Sequence, residues 1–395
     1  MRIAYITPYQ GPSLVKQRPI VKNRSMSNKV KIELIAEALH ARRHRVEVIS
    51  HGEVVENECK FYPAFSEPER FHPEIPVHYA SALPVRRVNG FWSCWRTLRL
   101  FKARHQVSPY DLVIIFNLKP PLIACANHAM RRLRLPVILE YDDDVFMDVV
   151  GDAVNGALVS RHHNACAKVL KAVDGGIAVS PFLLSRFPAE TPKLVVRGVV
   201  GSDVLEASNQ INEERRNRVL FSGTHIESNG VAELIEAWKL AAISGWELHI
   251  TGYGQLTDKL RQMAKHVQGV VFHGMVSREE LVRLMCSARI CANPHAVSRT
   301  PGNVFAFKII EYLGAGAHVI TTPMGEVEKE TESGITYMPD NEPETIASTL
   351  TTVIGAGKWK QNAAQYVRDT YSPEAVSKCL ETLLQQVVAR RVDCH

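Results

Sequence analysis

Short apolar runs rich in β-branched residues recur along the chain at 2–7, 46–50, 112–116, 136–140, 176–179 and 194–196. They return at 218–222, 246–251, 269–273, 289–293 and 318–321. Stretches of helical periodicity separate them. Strands that are apolar throughout are buried on both faces, and their alternation with helices predicts α/β architecture with parallel sheets. The alternation is interrupted at 201–217, GSDVLEASNQINEERRN, a polar stretch of linker-type residues. The pattern therefore predicts two domains with parallel sheets covered on both faces, 1–200 and 201–372. A length of 395 residues agrees, since it exceeds what one hydrophobic core usually serves.

Parallel sheets also suit dehydrogenases, so the dinucleotide fingerprint must be checked. After the first strand the chain runs TPYQGPSL, without a glycine triplet. Gly252-Tyr253-Gly254 follows a strand, but the third glycine position is Thr257. A lone GxG reads more readily as a tight turn than as a dinucleotide site.

The richest stretch is 298–324, SRTPGNVFAFKIIEYLGAGAHVITTPM. It reads as a loop holding Pro301, Gly302 and Asn303, then a helix carrying Lys308 and Glu311, a Gly-Ala-Gly stop at 314–316, and a strand. A loop entering a helix leaves backbone N–H groups without intrahelical partners, which suits phosphate. Lys308 and Glu311 are three residues apart on one helix face, so a cation and a carboxylate are expected at one spot. A pyrophosphate and a pair of sugar hydroxyls need such a pairing. An ordinary core helix capped by glycine is the competing reading.

This segment resembles the donor-binding motif of family 4 glycosyltransferases of the GT-B fold. Their pattern is a Glu, seven residues, a second Glu and a small-residue turn. Asn303 and Glu311 occupy the two places here, so Asn replaces the first Glu. Phe307-Lys308 ahead of Glu311-Tyr312 is similar to a branch common among bacterial surface-polysaccharide enzymes. The resemblance implies two doubly wound, Rossmann-like domains facing a cleft, the first binding an acceptor and the second a nucleotide-sugar. It also implies a last helix, within 373–395, that crosses back onto the first domain.

The resemblance assigns roles residue by residue. Glu311 would accept hydrogen bonds from the nucleotide ribose. Backbone N–H groups from Asn303 through Val304 and Phe305 to Phe307 would face the sugar and β-phosphate. Met275 and Val276, in the GMV after His273, would read the base edge. The turn Gly223-Thr224-His225 would hold the diphosphate. There the family places an Arg after the glycine and a Lys before a second glycine, whereas this chain has Thr224 and Asn229. Lys308, His225, Arg299 and Arg197 are the candidate replacements, Lys308 foremost. The family's His-containing turn in the first domain corresponds to the cluster Glu140-Tyr141-Asp142-Asp143-Asp144. Asp142 or Asp143 is then a candidate contact for the acceptor hydroxyl, with helix capping as the plainer role of one of the three aspartates. No second ligand set accompanies that triplet, so no metal is expected, nor any cofactor beyond the donor.

Two acid-free basic stretches stand out in the first domain. One holds Lys16, Arg18, Lys22, Arg24, Lys29 and Lys31; it is a candidate contact for an acidic acceptor such as a lipid diphosphate. The other holds Arg86, Arg87, Arg96, Arg99, Lys102 and Arg104 beside Phe91, Trp92, Trp95 and Phe101. Tryptophans interleaved with cations suit an interfacial helix on anionic lipid, though Lys102 falls on the aromatic face. Packing of those aromatics on the sheet is the alternative.

Composition narrows the class further. Apolar content of 46% and charged content of 22% are those of a soluble globular chain. No apolar run approaches a membrane span, 112–126 being broken by Lys119 and two prolines. The start, RIAYIT, is too short and wrongly flanked for a signal peptide. The 8 cysteines show no CxxC pairing, which fits a reducing cytoplasm without a zinc site. A net charge of +6 is far from a nucleic-acid-binding composition. The expectation is a hexosyl- or related glycosyltransferase, retaining by resemblance, acting in the cytoplasm or peripherally at the inner face of the membrane. Its acceptor would be a lipid-linked or glycan intermediate. A soluble enzyme acting on a small natural product, or a silent nucleotide- or partner-binding protein, are the alternatives.

Overall fold

The computed structural model describes the chain except residues 19–25, 53–59, 86–87, 147–155, 211–214, 298–304, 325–333, 358–361 and 394–395. It divides into two compact units, Met1–Val199 with Pro373–His395, and Val200–Ser372. Unit 1 is built on strands β1 (Arg2–Thr7), β2 (Arg45–Ser50), β3 (Phe65–Ser66), β4 (Val77–Tyr79), β5 (Leu112–Phe116), β6 (Val137–Tyr141), β7 (Gly175–Ala178) and β8 (Lys193–Val195). Their order is β3-β4-β2-β1-β5-β6-β7-β8, parallel except where β3 runs against β4. Every residue of β5 and β6 is buried, the property that made their apolar runs readable. The two- and three-residue strands β3 and β4 left no such run.

Unit 2 holds β9 (Arg216–Ser222), β10 (Glu247–Thr251), β11 (Val270–Gly274), β12 (Ala288–Asn293), β13 (His318–Thr321) and β14 (Ile335–Tyr337). The order β11-β10-β9-β12-β13-β14 is parallel throughout. This is the doubly wound order, in which the strand order reverses between β9 and β12 and a crevice opens beyond their C-terminal ends. Val219, Phe221, Leu248, Ile250, Ile290 and Ile320 form the core with Leu234 and Trp238 of the helix Val231–Ala241.

The polar stretch expected as a linker is instead partly helical. Ser202–Gln210 forms a helix whose Val204 and Leu205 are buried in unit 2. Two apolar residues sufficed to seat it, too few to stand out from its polar composition. The last helix, Pro373–Asp393, belongs to unit 1 and packs on the helix Met26–Ala41. Arg42 Nε donates to Ser377 Oγ at 3.1 Å, and His44 Nε2 lies 2.7 Å from Glu381 Oε2. Arg391 Nε donates to Asp174 at 2.9 Å.

Candidate functional site

In unit 2 the loops after β9, β10 and β12 converge at the reversal point, and glycines make the convergence possible. A Cβ on Gly252 (φ +118°) would lie 1.9 Å from the Gly223 carbonyl oxygen. A Cβ on Gly230 (φ +65°) would lie 1.7 Å from the carbonyl oxygen of Pro294. Gly223 N donates to Thr251 O at 3.2 Å and His225 N to Tyr253 O at 3.3 Å. The Gly252-Tyr253-Gly254 pair is therefore a tight turn braced against the β9 loop.

Within that loop Thr224 is exposed, and its carbonyl accepts from Asn229 Nδ2 at 2.7 Å. His225 is only 1% exposed, with Nδ1 2.9 Å from Thr257 Oγ1 and Nε2 without a partner among the described residues. Burial lowers its pKa. That direction favours the neutral ring, which weighs against His225 as the replacement for a missing cation.

Lys308 opens the helix Lys308–Gly314 at the same place. The residue as a whole is half-buried, but its ammonium is buried and has no hydrogen-bond partner among the described residues. Nζ lies 4.6 Å from the centroid of the Phe221 ring and would stand 2.9 Å from a Cβ on Gly223. A side chain at Gly223 would push the flexible end of the lysine aside. Burial pulls the lysine pKa down to about 8. An ammonium stripped of water and given no anion is costly, and partial loss of its proton is the response. Tyr312 fixes the helix to the end of β9 by accepting from Ser222 N at 2.9 Å.

Glu311 takes a different partner. It is 7% exposed, and Arg278 Nη1 donates to its Oε1 at 2.6 Å. Arg278 Nε donates to Asp203 at 2.7 Å. Burial raises the Glu311 pKa, against the opposing pull of Arg278. The expectation that Lys308 and Glu311 point at one spot is corrected: Lys308 reaches over Phe221, while Glu311 is held by Arg278. Sequence reasoning missed Arg278, which opens the helix Arg278–Ser287 behind its Ser277 cap. It also missed His295, just past β12; burial lowers its pKa and neighbouring Lys308 lowers it further.

Met275 is exposed and Val276 half-buried, just beyond β11. Phe305 is buried. Asn303, Val304 and Arg299 lie outside the described residues, as do Pro301 and Gly302. Arg197 is buried in unit 1.

At the C-terminal end of β6 in unit 1 the acidic cluster is internally satisfied. Lys31 Nζ sits 2.6 Å from both oxygens of Asp142 and 3.0 Å from Glu140. Tyr5 donates to Glu140 at 2.5 Å. Asn117, in the left-handed region at φ +60°, donates to Asp143 at 2.9 Å and accepts from Asp142 N at 2.7 Å. Asp144 accepts from Tyr141 at 2.9 Å and from Arg186 at 2.7 Å. Both carboxylates thus have neighbours that fix the loop, Asp143 staying exposed and Asp142 paired with Lys31.

Three cations of the first basic stretch, Arg18, Lys29 and Lys31, are paired within unit 1, while Lys16 is exposed. Lys31 serves Glu140 and Asp142, and Lys29 pairs with Glu33 at 2.7 Å. Arg18, 1% exposed, donates to the carbonyls of Gly52, Pro63 and Ala80. Lys22 and Arg24 lie outside the described residues.

Comparison with known proteins bears on this geometry. The family model for glycosyl transferases group 1 matches residues 216–355, and the glycosyl transferase 4-like domain matches residues 29–191. No curated protein matches the sequence. Sucrose-phosphate synthase from Thermosynechococcus elongatus is similar in structure, with a TM-score of 0.73 at 17% identity over 99% of this chain and 100% of that one. HepE of Anabaena in complex with UDP and glucose gives 0.66 at 15% identity, covering 98% and 99%. The apo form of a lipopolysaccharide outer core galactosyltransferase gives 0.62 at 14%, covering 97% and 99%. At these identities structural likeness speaks for the fold, while the family models speak for the sequence. Matched in both units and alike in fold across nearly its whole length, the chain is a family 4-like glycosyltransferase of the GT-B fold.

Proposed function

We propose that this glycosyltransferase binds a nucleotide-diphosphate sugar at the β9–β12 reversal point of unit 2 and passes its sugar, with retention, to an acceptor hydroxyl. The observation that carries the reading is the buried ammonium of Lys308 beside Gly223, unpartnered among the described residues. A diphosphate oxygen is the anion that completes it. In this role Lys308 binds the donor and stabilises the charge that grows on the leaving nucleotide diphosphate, an effect strongest where water is excluded. No protein-bound metal or further cofactor enters this reading.

Glu311 would accept the ribose hydroxyls through the oxygen that Arg278 leaves free, with Arg278 keeping the carboxylate ionised and aimed. Met275 and Val276, at the exposed end of β11, would lie along the base. Solved relatives of the same fold include HepE of Anabaena in complex with UDP-glucose, which supports a nucleotide-sugar as donor. A lipid-linked or glycan intermediate is the proposed acceptor class, met in the cytoplasm or at the inner membrane face.

Thermal-shift titration against a panel of UDP-, ADP-, GDP- and CDP-sugars tests this. A ligand present at about 100 times its Kd should stabilise by about 2.7 kcal/mol. One nucleotide series should stand out, and Glu311→Ala should lose most of the shift because the ribose loses its acceptor. A flat response from the parent protein across all series would overturn the donor reading and leave a nucleotide-silent protein. The anomeric configuration of the product, read by NMR, tests retention separately.

A further inference from the structure

The face of the helix Asn89–Val107 turned away from the unit 1 sheet has a composition that the donor site does not explain. Its inward side is anchored by Thr97 and Phe101, and Arg104 is tied to Glu47 at 3.1 Å. Its outward side leaves Phe91 76% and Trp95 42% exposed, with Phe61 of a neighbouring loop 53% exposed. A connected row of rings forms a ledge along this side: Phe61 meets half-buried Trp92 edge-on at 6.1 Å and Trp92 meets Trp95 edge-on at 5.4 Å, with Phe91 one helical turn from Trp95. Arg96 and Arg99 lie over the Trp95 ring at 5.2 and 5.7 Å. The helix contains no Asp or Glu.

At 100° per residue, positions 91, 95, 99 and 102 fall within one quadrant of the helix. Aromatic and cationic residues therefore share one face and are sorted along the axis, Phe91 and Trp95 towards the N-terminal end, Arg99 and Lys102 towards the C-terminal end. Residues 91 and 102 stand about 16 Å apart along the helix. That sorting accounts for Lys102, whose place on the aromatic face spoils a flat amphipathic helix. A tilted helix uses both ends, one in the acyl–headgroup boundary and one at the phosphates.

We propose that this ledge docks unit 1 on an anionic lipid surface, with Phe91, Trp95 and Phe61 entering the interface and Arg96, Arg99 and Lys102 meeting lipid phosphates. The polar-edged ring of Trp95 settles at this depth, Phe91 and Phe61 add apolar area, and nearby cations add attraction to anionic headgroups. A second copy is a poorer occupant, because two-fold pairing of this face would bring like charges together. The inference concerns unit 1 alone and stands independently of the donor reading.

The test is co-sedimentation of the full chain with phosphatidylcholine vesicles, plain or carrying roughly one-third phosphatidylglycerol. Binding should favour the anionic vesicles at low salt and fade at about 0.5 M salt, where charges are screened within a few ångströms. Each cation near such a surface contributes about fivefold, so Arg99→Gln with Lys102→Gln should lower partitioning about 25-fold. Phe91→Ser with Trp95→Ser should lower it too, and brominated lipid should quench the parent's tryptophan emission more than that variant's. All four positions are exposed, so both variants should keep the parent's melting temperature and nucleotide-sugar response. Three results would overturn the proposal: no binding to anionic vesicles at low salt, equal binding to neutral ones, or a dimer in sedimentation velocity that Phe91→Ser abolishes.

Discussion

Replacing Lys308 by methionine should stabilise the empty protein while weakening its hold on the donor. The pKa of about 8 lies some 2.5 below the ordinary lysine value of 10.5. At 1.36 kcal/mol per unit, keeping that ammonium charged at pH 7 costs the folded state about 3 kcal/mol. The sign follows from proton counting: between pH 8 and 10.5 the unfolded chain holds the lysine proton and the folded chain does not, so wild-type stability rises with pH across that window. Methionine has a similar stem and removes the charge. Unit 2, Val200–Ser372, is of a size at which 1 kcal/mol moves the melting temperature by about 2–4 °C. Lys308→Met should therefore raise the unit 2 transition by several degrees at pH 7, and the gain should vanish towards pH 10. Nucleotide-sugar affinity should fall by tenfold or more, since hydrogen bonds to charged groups are worth about 1.5–3 kcal/mol. Differential scanning calorimetry across pH, with donor titrations of parent and variant, reads both effects. A variant that melts lower than the parent at pH 7, or binds donor as well, would refute the reasoning and make Lys308 a structural residue.

Arg278→Gln should cost about 2 kcal/mol, reduced from the usual penalty for breaking a buried pair because Arg278 is a third exposed. A buried carboxyl with a raised pKa favours the protonated folded state, so the deficit in urea unfolding should shrink from pH 8 to pH 5. A deficit independent of pH would mean that Glu311 is not the group left unpaired. Lys31→Met should cost about 3–5 kcal/mol, because Glu140 and Asp142 lose their shared cation in a buried site. The unit 1 transition should drop while nucleotide-sugar binding to unit 2 persists; a concurrent loss of donor affinity would show that the cluster does more than fix its loop.

What could be read from the sequence is what has a local period. The run at 112–116 announced itself because a strand buried on both faces is apolar without interruption. The spacing of Lys308 and Glu311 announced one helix face. Their separate partners were invisible, because Arg278 lies 33 residues before Glu311 and no periodicity links them. Lys31 and Asp142, 111 residues apart, looked like a free cation and a free acid for the same reason. Arg18 looked like surface charge and is instead enclosed by three carbonyls. Ionic residues reveal their type in a sequence, but their pairing is fixed only by topology.

The central claim is that a donor diphosphate completes the buried ammonium of Lys308, and proton uptake on binding measures this directly. At pH 8.5 an amine of pKa about 8 is only about one-quarter protonated when the site is empty. The diphosphate of a sugar nucleotide does not titrate there, and it would hold the amine fully protonated once bound. Calorimetric titration in two buffers of different ionisation enthalpy should therefore record uptake of about three-quarters of a proton per donor by the parent protein. Lys308→Met should record essentially none. Binding without proton uptake by the parent, or the same uptake by the variant, would contradict the account.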